Sequence, residues 1–238
     1  MNRIITFVSV FCFLPTFIWA QNDDGKFLRI KNGSLISEHI AYQDRYLYSE
    51  FRKAKVLYAN GKIDFAEVNY NILLGEVQFI SAKKDTLNIA DPELIRIIAV
   101  ENDAFYFVKG KGHLILVRQF SKCNLVKSKK LMYSGTEKYA AYGQYSSTSA
   151  ITTYSSIYNG SGANQKLPGS DMLVLKHQEI FYLRDHNGKV YPALRSSFFK
   201  LYKGHKTRIS QYFDKNPPIF DSVEYLFQTL TFCDSLLG

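Results

Sequence analysis

The side chains with most chemical reach in this 238-residue chain are five histidines (His39, His113, His177, His186, His205) and three cysteines (Cys12, Cys123, Cys233). Metal binding needs such residues clustered, and the sequence holds no His-x-His, His-Glu-x-x-His or Cys-x-x-Cys spacing. A serine hydrolase of the α/β kind would carry Gly-x-Ser-x-Gly at a strand-to-helix turn. "NGSGA" at 159–163 lacks that spacing and follows no strong apolar strand. "GKGH" at 110–113 has neither the spacing nor the following helix of a phosphate-cradling loop. Cys123 follows Lys122 and precedes "LVKSKK", which gives a thiol a few basic neighbours and makes it the better of two weak nucleophile candidates. Asp185-His186 reads as part of a turn, and His205 as a half-buried packing residue on a helical stripe. Paired carboxylates of the glycosidase kind cannot be recognised without geometry. No catalytic residue, metal ligand or cofactor is therefore assigned.

The remaining candidates are aromatic. "GTEKYAAYGQYSSTSAITTYSSIYNGSGANQKLPGSD" is rich in Tyr, Ser, Thr and Gly and nearly free of Leu and Val. Tyr139, Tyr142, Tyr145, Tyr154 and Tyr158 form a candidate binding surface, because Tyr gives rigid contact area and Ser adaptable hydrogen bonds. The plainer reading is a long insertion, about 135–170, whose tyrosines pack onto the sheet.

The elements that position these residues divide in two. From 46 to 195 the pattern is of strands: "FRKAKVLYANGKIDFAEVNYN" alternates around Asn60-Gly61, the strongest short hairpin signal. Further turns at Gly75, Lys83-Lys84-Asp85, Asp91-Pro92, Glu101-Asn102-Asp103, "GKG" and Asn187-Gly188 indicate an antiparallel meander, for which a strongly curved, half-barrel-like form is one option. Phe105, Tyr106, Phe107 and Val108 are consecutive, so both faces of that strand must be covered. From 196 to 238 the period becomes helical. Phe198, Leu201, Tyr202, His205, Ile209 and Tyr212 form one stripe, with Gly204 splitting it, and Val223, Leu226, Phe227, Leu230, Cys233 and Leu237 form another. Asp221 and Glu224 have capping-box spacing, and Phe220 can staple onto Tyr225. The fold expected is α+β, with two or three C-terminal helices covering the sheet. In "NYN", Asn69 and Asn71 share a face opposite Tyr70, and the next turn is their expected hydrogen-bond partner.

Residues 1–20 read as a signal peptide: Arg3, a mostly apolar run from Ile4 to Leu14, a break at Pro15 and the small Ala20 at the cut. Removing them leaves 218 residues and lowers the formal charge from +9 to +8 by the loss of Arg3. Residues 21–45 form an N-terminal extension, and no later run approaches the ~20 apolar residues of a membrane helix. With 15% aromatic residues, 17 Tyr and 18 Phe among them, the chain has ample surface to bury, so disorder is not expected. A basic exported protein meets anionic lipid, envelope polysaccharide or nucleic acid, and no nucleic-acid motif accompanies the charge. The pairs Lys83-Lys84 and Lys129-Lys130 read as solvated hairpin rims. Cys123 and Cys233 are too few for a disulfide framework and are expected as free thiols.

"YLYSEFRKAKVLYANGKIDFAEVNYNILLGEVQFI", together with "EKYAAYGQYSS" and "SSFFKLYKGHKTRISQYFDKN", resembles a group of uncharacterised exported proteins of Bacteroidota. The resemblance spans most of 45–238, and its motifs are structural. Lys53-Ala54-Lys55 stands where that group usually has Gly-Lys or Gly-Thr before the strand. It implies a periplasmic or cell-surface location and no activity. Three functions are compatible with these features: a non-catalytic envelope protein that binds a protein, glycan or lipid, a periplasmic carrier of a lipid or other apolar ligand, and an enzyme of unrecognised type.

Overall fold

Antiparallel pairing follows the turn chemistry closely. The computed structural model describes residues 27–31, 39–139, 145–147 and 172–238. Among the described residues twelve strands form one sheet: β1 (Phe27–Lys31), β2 (Arg52–Tyr58), β3 (Ile63–Asn71), β4 (Glu76–Ile80), β5 (Thr86–Asn88), β6 (Ile95–Val100), β7 (Asp103–Val108), β8 (Gly112–Gln119), β9 (Cys123–Tyr139), β10 (Tyr145–Ser147), β11 (Met172–Asp185) and β12 (Val190–Pro192). Their order is β1-β11-β9-β8-β7-β6-β2-β3-β4-β5, with β10 beside β9 and β12 beside β11. Every pair is antiparallel, as the meander requires. One return breaks the sequential order. After β5 the chain crosses back and pairs β6 with β2 instead of continuing outward. Lys83-Lys84 lies in the β4–β5 turn, as expected, but Lys129-Lys130 lies within β9, not at a hairpin rim.

Among the described residues the sheet stays open along β1 and β5, yet it curls onto itself. Between β8 and β9 the ladder stops at Ile115↔Lys127. The β3–β4 turn enters the fork so formed: Leu131 N donates to Ile72 O at 3.1 Å and His113 N to Gly75 O at 2.9 Å. Two glycines permit this approach. Gly75 (φ +69°) and Gly112 (φ +80°) both adopt the left-handed region, and a Cβ on either would collide, with the Lys130 stem and with Gly75 O respectively.

The curl accounts for strands that are apolar on both faces. Inside it, Val68, Tyr70, Val77, Ile98, Phe105, Ile115, Leu131 and Leu175 form one core, with Tyr70 stacked on Phe105 at 5.6 Å. The Tyr70 hydroxyl donates to Lys129 O at 2.9 Å, so this buried phenol is satisfied. The concave face is thus filled by the sheet's own side chains, and no helical residue belongs to that core. Tyr106, next to Phe105, points the other way into a small convex cluster with Leu114 and Val126.

"NYN" is a scaffold element. Asn69 Oδ1 accepts from Tyr48 N (3.1 Å) and Tyr70 N (2.9 Å), while its Nδ2 faces Tyr48 O (2.9 Å) and Glu50 O (3.2 Å). Asn71 Oδ1 accepts from Leu73 N and Leu74 N, which is the expected turn. Its Nδ2 donates to Gln78 Oε1, which also accepts from the Tyr46 hydroxyl. Asn71 therefore fixes the turn that plugs the fork, and Asn69 fastens the segment leading into β2. A short helix, α1 (Tyr42–Arg45), opens that segment.

Three helices close the chain: α2 (Arg195–Leu201), α3 (Lys206–Lys215) and α4 (Val223–Ser235). Gly204 sits in the 3-10 turn dividing α2 from α3, as its position suggested. Phe198, Tyr202, Ile209, Phe213, Leu226, Leu230 and Cys233 pack on Cys123, Leu125, Phe181 and Leu183. The helices cover the ends of β8, β9 and β11, with Val117 and Phe120 also against them, because the curl has already covered the rest. The cap of α4 is shifted by one residue from expectation. Ser222 Oγ accepts from Tyr225 N at 3.3 Å and donates to Glu224, so Ser222, not Asp221, holds the first turn. Phe220 packs edge-on to Tyr225, the expected staple. His205 ends the 3-10 turn just before α3 and is half-buried, as expected of a packing residue on a stripe that Gly204 divides. Among the described residues no helix is long and apolar enough to cross a membrane.

Candidate functional site

The reactive candidates are kept apart or kept inert. Cys123 and Cys233 are free and fully buried. Burial pushes both thiols up to about 12, so neither supplies a thiolate at neutral pH. His113 is also buried: its Nδ1 accepts from Val77 N at 3.2 Å, and burial lowers its pKa to about 4. His177 lies on β11, where burial, then Lys129, lowers its pKa against the opposing pull of Asp44. His186 holds Ser121 O at 2.8 Å. Among the described residues no three His, Cys, Asp or Glu side chains converge on a metal-sized site.

Beside the thiols, Asp234 acts as a clamp. Its Oδ2 accepts from Ser121 N (2.8 Å) and Ser121 Oγ (2.9 Å), and its Oδ1 accepts from the Tyr202 hydroxyl (2.9 Å). One carboxylate thus ties the β8–β9 turn to α2 and α4.

Of the tyrosines singled out, Tyr139 and Tyr145 are backbone register partners where β10 runs antiparallel to β9. Tyr142, Tyr154 and Tyr158 lie outside the described residues, as do residues 1–20 of the expected signal peptide.

A different grouping emerges on the convex face. Strand alternation sends Val126, Ser128 and Lys130 of β9 and Tyr182 and Arg184 of β11 to that side, with Tyr106 and Leu114 from β7 and β8. The Arg184 guanidinium lies 4.3 Å above the Tyr106 ring, and the Lys111 ammonium 4.7 Å above the Tyr182 ring. Lys130, whose stem rests on Gly75, is close enough to Lys111 for their charges to interact. Burial lowers the Lys130 pKa and Lys111 lowers it further, while Glu76 opposes both. None of Lys111, Lys130 and Arg184 makes an ion pair among the described residues. Each ring contact holds its cation for about 0.5–1 kcal/mol at an exposed site, and leaves the charge unneutralised. Lys111 and Arg184 are thus held by rings and Lys130 by the Gly75 turn, with Glu76 acting on Lys130, and such a group of cations has the chemistry to attract an anion.

No single stretch of sequence points to this grouping. Lys111 and Tyr182 are separated by the whole Tyr-rich insertion, and Lys129-Lys130 looked like a turn. The available signal was the alternation Val126-x-Ser128-x-Lys130, which places Lys130 on a strand face.

In comparisons with known proteins, the chain matches no family model, no curated protein and no solved structure.

Proposed function

We propose that this chain is an exported, non-catalytic envelope protein that binds anionic groups on the convex face of its sheet, through Lys111, Lys130 and Arg184. The observation that carries the reading is that these three cations are ordered against Tyr182, Gly75 and Tyr106 with no carboxylate bridged to them. Buried high-pKa thiols and scattered histidines support a binding role over a catalytic one. The filled concave core argues against carriage of an apolar ligand inside the sheet.

Titration with inorganic polyphosphate tests the reading, with neutral dextran as control. Binding that weakens as salt rises, and falls at least tenfold in K111E/R184E, is expected. Equal affinity in wild type and the variant overturns it. Export is tested separately: the protein recovered outside the cytoplasm should begin at Gln21.

A further inference from the structure

Phe65 stands on the same convex face, at the opposite end from the cation cluster, and is 76% exposed near the start of β3. A core-forming side chain in that position normally finds a cover. Its cross-strand partner is Lys55, and the row continues through Ala99 and Ala104, whose small side chains leave the ring standing clear. The neighbouring row begins with Ile63, 46% exposed, paired with Leu57, which is paired in turn with Ile97. Lys53 and Lys55 flank the ring and make no ion pair among the described residues, although Glu67 is opposite Lys53 in register. Lys62, at the adjacent turn, is paired with Asp64 at 2.8 Å.

Two protruding apolar side chains are too few for the core of a specific protein interface, which buries about 1,000 Å² or more around clustered anchors. They suit a bilayer. An aromatic ring enters the headgroup–acyl boundary, and flanking lysines keep their stems along the apolar zone with the charges at the phosphates.

From this we infer that the anionic partner of the convex face is a membrane surface, with Phe65 and Ile63 as the inserting residues and Lys53 and Lys55 at the headgroups. The inference rests on the anion-binding reading above and names its partner.

Trp19 is the sole tryptophan and belongs to the expected signal peptide, so F65W in the protein beginning at Gln21 carries a single reporter. Its emission is read with phosphatidylcholine vesicles containing or lacking phosphatidylglycerol. A blue shift with the anionic vesicles, and quenching by lipid brominated near the headgroup, is expected. Partitioning of the otherwise unaltered protein, followed by sedimentation, should fall roughly tenfold or more in F65S, and about fivefold for each of K53E and K55E. All four changes are at exposed positions, and circular dichroism checks that each variant folds. If polyphosphate binds as proposed while anionic vesicles leave F65W emission unchanged, the membrane inference fails and the anion-binding reading stands. If neither binds, both fail. Vesicle binding that F65S leaves intact overturns the insertion of Phe65.

Discussion

His113 should make this fold acid-sensitive by a calculable amount. Its imidazole is buried, its Nδ1 accepts from Val77 N, and burial takes its pKa from 6.5 to about 4. Above pH 6.5 the ring is neutral in both the folded and the unfolded chain, and its full contribution to stability is present. As pH falls below 6.5 the unfolded chain takes up a proton that the folded chain refuses, so stability drops until the folded ring protonates near pH 4. At about 1.4 kcal/mol for each pH unit, the loss reaches about 3 kcal/mol by pH 4. That is a large share of the 5–15 kcal/mol typical of a domain. His113→Asn keeps an acceptor where Nδ1 stood and removes the titration. Urea unfolding at intervals from pH 7 to pH 4, on wild type and variant, isolates the histidine, because other titrating groups are common to both. The variant should start less stable at pH 7, from the lost ring packing on Phe107, and the gap should close by about 3 kcal/mol on acidification. Parallel pH profiles would refute the burial of a neutral His113.

The Asp234 clamp should be measurable as well: Asp234→Ala leaves the Tyr202 hydroxyl and Ser121 N without an acceptor and should cost about 1–3 kcal/mol in urea unfolding, with α4 amides losing most hydrogen-exchange protection. Cys123 and Cys233 should react with a thiol reagent only as fast as the protein opens, and stoichiometrically once it is unfolded. Tyr70→Phe removes the hydroxyl that donates to Lys129 O and accepts a longer bond from Lys129 N and should cost about 1–2 kcal/mol, whereas Phe105→Ala, which opens a cavity beside it, should cost about 3–5 kcal/mol by the same unfolding measurement.

Local rules were legible in the sequence and long-range ones were not. Asn60-Gly61 and Asn187-Gly188 specify their turns within a few residues, and the stripe Leu226, Leu230, Cys233 specifies the buried side of α4. The placing of the α4 cap failed by one residue because Asp221 and Ser222 both suit the position and only geometry chooses. The covering of the doubly apolar strands was assigned to the helices, but most of it comes from the curl. That curl depends on Gly75 meeting Gly112 and His113, a contact between positions distant in the chain that no periodicity encodes. The return of β6 to β2 is hidden for the same reason, since an 89–94 connector has the length of a simple hairpin loop. The cation cluster is not legible in the sequence because its lysines and arginine are ordinary one by one, and become unusual only when the sheet sets Lys111 over Tyr182 and Arg184 over Tyr106.

Nuclear magnetic resonance mapping of polyphosphate onto the isotope-labelled protein tests the binding face most directly. The largest amide shifts should fall at Tyr106, Lys111, Lys130 and Arg184 and weaken as salt is added. Shifts concentrated instead on the segment from Tyr139 to Tyr158, with the convex cluster unmoved, would contradict the assignment.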